Sequence, residues 1–192
     1  SNAKLISLIY AQNLIKKMEY KILNTLDKEW GEILKETKFA DIYFTPEYSK
    51  IYEKNYSSEI NNSFGGKSFL FFSGNKKDFL IVPLIKRKIN DLDFIQDKKL
   101  PEYFDLISPY GYAGPIIKTT NESKELIVNK FKTNFTEFCK KNNIVTEFTR
   151  FHPLIQNHAI LQKKVDKRNT TVYLDLTKNE GTLLKEMNKK TR

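Results

Sequence analysis

The chain has 192 residues, 40% of them hydrophobic and 13% aromatic, with a formal net charge of +10. Length and composition allow one sizeable core or two small ones and exclude a disordered chain. No apolar run approaches the ~20 residues of a membrane-spanning helix, no stretch reads as a cleavable signal peptide, and the single Cys139 excludes an intrachain disulfide.

Ser1-Asn2-Ala3 reads as the remnant of a cleaved expression tag, and residues 4–17 as an N-terminal extension or an extra helix. From Met18 to Arg192 the pattern is that of one domain. Tyr20 to Leu23 predicts a short strand. Asn24 or Thr25 can then cap a helix over Asp27 to Thr37, with Trp30, Ile33 and Leu34 on one face. Thr45-Pro46-Glu47 is a helix start: a Thr N-cap, a Pro at the first helical position and an early acid. That helix would turn Tyr48, Ile51 and Tyr52 inward. Ser57 to Lys67 is polar and glycine-bearing, hence loop.

Phe69 to Ser73 and Phe79 to Ile89 read as an antiparallel hairpin around Gly74-Asn75-Lys76-Lys77. Pro83 in the second strand predicts an edge or a bulge. Tyr103 to Ile107 is a third strand, followed directly by SPYGYAGP, Ser108 to Pro115. Asn121 or Ser123 opens the longest helix, Glu122 to Lys141, whose stripe is Leu126, Ile127, Phe131, Phe135, Phe138 and Cys139. Ile144 to Phe151 predicts a strand that His152-Pro153 ends. Leu154 to Leu161 reads as a short helix and Thr170 to Leu176 as a final strand. Thr177 caps a last helix with Leu183, Leu184 and Met187 facing the core. This order predicts an α/β (α+β) domain on one mixed sheet.

Nearly all the positive charge is lysine, interleaved with acids; arginine occurs only at 87, 150, 168 and 192. This reads as a solvated surface rather than a nucleic-acid interface. The one locally basic zone is Lys163 to Arg168 with Lys189 to Arg192. Cys139 on the helix stripe reads as a buried thiol in a reducing compartment, so cytoplasm is the default. No GxGxxG, Walker loop, HExxH or GxSxG occurs. Two histidines and one cysteine exclude a multi-histidine or four-thiolate metal site.

In SPYGYAGP, Gly111 and Gly114 allow positive φ and close backbone approach, and Tyr110 and Tyr112 can stack on a sugar or base. The competing reading is a strand-ending turn whose tyrosines cap the core. Arg150 is either a bidentate clamp for phosphate or carboxylate or half of a structural ion pair. Glu147, three positions away, falls on the opposite strand face. His152, at a strand end, is either a general base or a turn cap. Asn157 reads as a residue that caps or hydrogen-bonds a turn. Asp41, Tyr43 and Tyr48 flank the TP helix start.

Four segments carry a resemblance: DIYFTPEY (Asp41 to Tyr48), FDLISPYGYAGP (Phe104 to Pro115), NIVTEFTRFHPLIQN (Asn143 to Asn157) and TTVYLDL (Thr170 to Leu176). Their order and spacing resemble the N-terminal half of FemAB-like acyltransferases, relatives of the peptidoglycan-bridge aminoacyltransferases within the GNAT superfamily. The resemblance implies a GNAT-like mixed, mostly antiparallel sheet flanked by helices, one half of a tandem architecture. It implies N-acyl transfer to an amine of a cell-wall or surface-polysaccharide precursor. Aminoacyl-tRNA or acyl-CoA would be the donor, and a nucleotide-sugar or peptidoglycan precursor the acceptor. In that frame Tyr110, Gly111, Tyr112, Gly114, Arg150 and His152 line the acceptor site.

The pattern departs from the family in two ways. The sequence stops at Arg192, where relatives continue into a second half. It also lacks the R/Q-x-x-G-x-G/A loop that holds the CoA pyrophosphate, for which Gly65-Gly66 is no substitute. This predicts a binding half, inactive alone, with exposed apolar surface that favours self-association. The alternative is a non-catalytic binding or assembly module for a nucleotide-sugar, a tRNA or a protein partner.

Overall fold

The structure, a computed structural model, describes residues 19–37, 41–53, 65–92, 95, 99–120, 123–161, 165–166 and 170–187. The expected extension at 4–17, the loop at 57–64 and most of the basic zone at 163–168 and 189–192 lie outside them. The described strands are β1 (Glu19–Asn24), β2 (Lys67–Gly74), β3 (Phe79–Lys88), β4 (Phe104–Ile107), β5 (Ile116–Lys118) and β6 (Ile144–Phe148). The described α-helices are α1 (Lys28–Lys35), α2 (Pro46–Lys50), α3 (Lys124–Lys141) and α4 (Glu180–Glu186).

The sheet order is β1-β2-β3-β4-β6, with β5 also paired to β3. Every pairing is antiparallel except β4 with β6. The protein is therefore a mixed α/β fold on a mostly antiparallel sheet.

β2 and β3 read as near-continuous apolar runs because both faces of each are covered. Phe69 and Phe71 of β2, with Leu80, Val82 and Leu84 of β3, meet Ile127, Val128, Phe131 and Phe138 of α3. Leu70, Phe72, Phe79 and Ile81 point the other way, onto Trp30, Ile33 and Leu34 of α1 and Phe44. Period-2 alternation thus sorts one strand into two cores. Phe71 is the centre of the first. Its ring lies 5.3 Å from Tyr20, 5.5 Å from Phe131, 5.1 Å from Phe135 and 5.3 Å from Phe138. Polar stitches tie the layers together: Trp30 Nε1 donates to the Phe44 carbonyl at 2.9 Å, and Asn134 Nδ2 to Ser73 Oγ at 3.0 Å.

Several expectations are corrected. Pro83 lies in an interior strand, opposite Leu70, not on an edge. On the other flank β3 pairs with β5 over 79–81 and with β4 over 85–88, and the proline falls in the break between the two. A ladder already interrupted there tolerates a residue without an N–H. The turn before α1 is closed by Asp27, whose carboxylate accepts from the Asn24 N–H, and Asp27, not Asn24 or Thr25, is the N-cap residue. α3 starts at Lys124 after Ser123, which makes no side-chain cap. Ile51 is exposed rather than inward.

Residues 154–161 form a turn and a 3-10 helix (Asn157–Ile160), not an α-helix. The expected strand at 170–176 is absent. Its β-branched and aromatic residues favour extended backbone, but a strand needs a ladder partner. None pairs with it among the described residues, and Val172 is 92% exposed. α4 is capped by Asn179 rather than Thr177, and it buries none of its residues. Leu183, Leu184 and Met187 therefore do not reach the core. No helix among the described residues is long and apolar enough to cross a membrane.

Candidate functional site: a tyrosine loop held between two segments

β4 and β6 run parallel, and the chain beyond each strand continues side by side with the other. The Ser108 N–H donates to the Phe148 carbonyl at 3.0 Å, and the Arg150 N–H to Ser108 Oγ at 3.1 Å. Further on, Ala113 bridges Phe151 in parallel. The Ala113 N–H donates to the Arg150 carbonyl at 2.8 Å and the His152 N–H to the Ala113 carbonyl at 3.1 Å. Between these anchors Tyr110, Gly111 and Tyr112 arch away from the backbone pairing. The strand expected over 144–151 is thus split: β6 ends at Phe148, and only Phe151 re-pairs.

Two glycines shape the arch. Gly111 has φ +91, and a Cβ there would lie 2.5 Å from Tyr43 Cε1. Gly114 has φ +100, and its Cβ would lie 2.7 Å from Asn157 Nδ2 and 2.8 Å from Phe151 Cδ1. Each thus combines a left-handed backbone with close approach to another segment. Buried Asn157 closes the second contact. Its Nδ2 donates to the Ala113 carbonyl at 2.8 Å and its Oδ1 accepts from the His152 N–H at 3.0 Å. Asn157 thus hydrogen-bonds the turn, as expected, and also clamps the loop.

The segment before α2 forms the seat under the arch. Asp41 opens a 3-10 helix (Ile42–Phe44) by accepting from the Tyr43 N–H at 2.9 Å. Thr45 caps α2 through Tyr48 N–H at 3.2 Å, as the Thr-Pro-Glu pattern predicts. The Tyr43 ring then packs 5.1 Å from Tyr48, 5.5 Å from Tyr112 and 6.2 Å from His152. The Tyr48 hydroxyl donates to the Tyr110 carbonyl at 2.8 Å, which leaves Tyr52 to donate to Tyr48 across 3.1 Å. Burial first, then the bond with Tyr52, pushes the Tyr48 phenol above the ordinary tyrosine range.

His152 is buried, and both its ring nitrogens are engaged. Nδ1 accepts from the N–H groups of Leu154 at 3.3 Å and Ile155 at 3.4 Å. The ring proton is therefore on Nε2, which donates to Asp41 Oδ2 at 2.7 Å. Its surroundings are those of a turn cap and a tie to Asp41.

The remaining groups of the cluster lie on the outside. Tyr110 is 66% exposed. The Arg150 guanidinium sits 5.3 Å from the Tyr110 ring centroid and 5.1 Å from that of Phe148. Arg150 lies past the end of β6 and forms no ion pair with a carboxylate among the described residues. The half-buried Tyr112 turns its hydroxyl to Thr171 Oγ1 at 3.3 Å. Tyr110 is therefore not a core cap, whereas the Tyr112 ring packs 5.5 Å from Tyr43 and 5.5 Å from buried His152.

The fold thus brings Tyr110, Tyr112, Arg150 and His152 together and adds Asp41, Tyr43, Tyr48, Tyr52, Phe148 and Asn157. Glu147 accepts from Thr149 Oγ1 at 2.8 Å. The i, i+4 spacing of Tyr48 and Tyr52 was the one signal of the hydroxyl pair, and the i, i+2 spacing of Phe148 and Arg150, which puts them on one strand face, was that of the second ring. Fold and site define a mixed α/β protein that presents an aromatic and cationic surface where two parallel strands end. Comparison with protein-family models, with curated proteins and with solved structures gives no match.

Proposed function

We propose that this domain is the acceptor-binding half of an N-acyltransferase, holding a nucleotide-sugar or peptidoglycan precursor on the tyrosine loop. The observation that carries the reading is the exposed Arg150 guanidinium, stacked on Tyr110 and Phe148 and unpaired with any carboxylate among the described residues. A cation so placed can take a phosphate or carboxylate bidentately while the tyrosine ring covers a sugar or base. The loop beneath is built in advance by Gly111, Gly114 and Asn157, so little ordering is needed on binding. The donor, acyl-CoA or aminoacyl-tRNA, and the reacting groups would come from a second half.

A second reading, a non-catalytic recognition module, is favoured by His152. With one ring nitrogen on the 154–155 backbone and the other on Asp41, the cluster offers no free imidazole base.

Isothermal titration with a UDP-sugar tests both. Saturable binding weakened about tenfold by Tyr110→Ala and by Arg150→Gln is the expected result. Absence of binding, or binding indifferent to both substitutions, overturns the proposal. Titration with acetyl-CoA separates the halves: saturable binding by this chain would mean that the donor site is here.

A further inference from the structure

A second concave site lies at the other end of β4. A cavity of about 300 Å³ is bounded by the start of β2 with the two glycines before it, by the end of β3 and the turn after it, and by the start of β4. The tyrosine loop follows the opposite end of β4, so this cavity shares no residue with that surface.

Four cationic and two acidic side chains line the cavity, and the ion pairs divide the cations into two kinds. Arg87 is committed: Nε donates to Asp105 Oδ1 at 3.0 Å, and Nη2 donates to Oδ2. Lys88 pairs with Glu102. Lys67 and Lys86 make no ion pair among the described residues. Lys86 is half-buried, with Nζ 3.7 Å from the centroid of the Phe104 ring. Burial pushes its ammonium below the usual lysine range. Glu102 partly offsets this, and the neighbouring Lys67 adds to it. Two ammonium groups that repel one another, one of them partly desolvated, are an arrangement that an arriving anion relieves.

The backbone at the rim is also specialised. A Cβ on Gly66 would lie 2.2 Å from the Lys86 carbonyl oxygen, so only glycine lets this segment close against β3. Ile89, Leu92 and Phe104 supply an apolar wall beside the charges. The volume is at the small end of ligand pockets, which run from about 300 to 1,000 Å³.

We infer that this cavity binds a small phosphorylated molecule, its phosphoryl group between Lys67 and Lys86 and its body against Ile89, Leu92 and Phe104. The paired Arg87 and Lys88 hold the walls and leave the other two lysines for the ligand. The inference stands apart from the acceptor reading, since it uses none of the same residues.

The experiment is a titration with inorganic pyrophosphate, followed by calorimetry and by backbone amide shifts of the ¹⁵N-labelled protein. Expected is one saturable site whose shifts centre on Gly66, Ile89 and Phe104. Binding should weaken about tenfold or more in Lys86→Gln and in Lys67→Gln and be unchanged in Lys132→Gln, an exposed lysine of α3 outside both candidate sites. Lys67 is exposed, so its substitution reads binding without disturbing the fold. No saturable binding to the native chain, equal affinity in the Lys67 and Lys86 variants and the native chain, or an equal loss in Lys132→Gln would overturn the inference.

Discussion

Gly111 shows how a single missing methyl group can decide a surface. Its left-handed backbone and the 2.5 Å approach of Tyr43 to where a Cβ would be act together. Gly111→Ala should therefore lower stability by about 1–3 kcal/mol in a denaturant melt, since both the conformation and the packing resist a side chain. An unchanged midpoint would mean that the arch rearranges without cost. His152 carries a related lesson. Its ring type suits proton transfer, but the hydrogen bonds made by its two nitrogens decide its work. Arg150 is the converse: a residue type often found in ion pairs here lies against two rings, Tyr110 and Phe148, and pairs with no carboxylate among the described residues.

At the scale of the element, β2 and α3 meet through a cluster of aromatic rings. Phe71 meets four aromatic rings. Phe71→Ala should cost about 3–5 kcal/mol by the same melt, because the rings around it cannot all collapse into the space. Val145→Ala, on the exposed flank of β6, should change stability by no more than about 0.5 kcal/mol. Comparable losses at the two positions would contradict the assignment of the core to β2 and β3. The stripe of α3 was legible from spacing alone, since helical periodicity is a local property. Its buried face adds Val128 and Asn134 to the stripe and leaves Leu126, Phe135 and Cys139 half-buried; a polarity pattern assigns Asn134 to water, and Ser73 satisfies it.

For the whole molecule, stability should be distributed unevenly. The inner strands β2 and β3 are covered on both faces, whereas residues 170–187 lie almost wholly on the surface. Hydrogen exchange followed by mass spectrometry should find the slowest amides in β2 and β3, and fast exchange throughout 170–187. Slow exchange over 170–176 in the isolated chain would mean that this segment has found a ladder partner. The two candidate sites lie at opposite ends of β4, so substitutions in one should leave binding at the other unaltered.

The sequence by itself determined the elements whose signals are local: the apolar runs of β2 and β3, the α3 stripe, the Thr-Pro-Glu helix start and the position of SPYGYAGP after a strand. These are readable because caps and periodicities act over a few residues. Only the tertiary structure decided the features that depend on partners far along the chain. It joined Asp41 to His152, set Tyr43 beneath Gly111, placed Pro83 at a break inside the sheet and left 170–176 without a strand to pair with among the described residues. Strand pairing and ring packing are long-range choices, and a residue's own preference is only one vote in them.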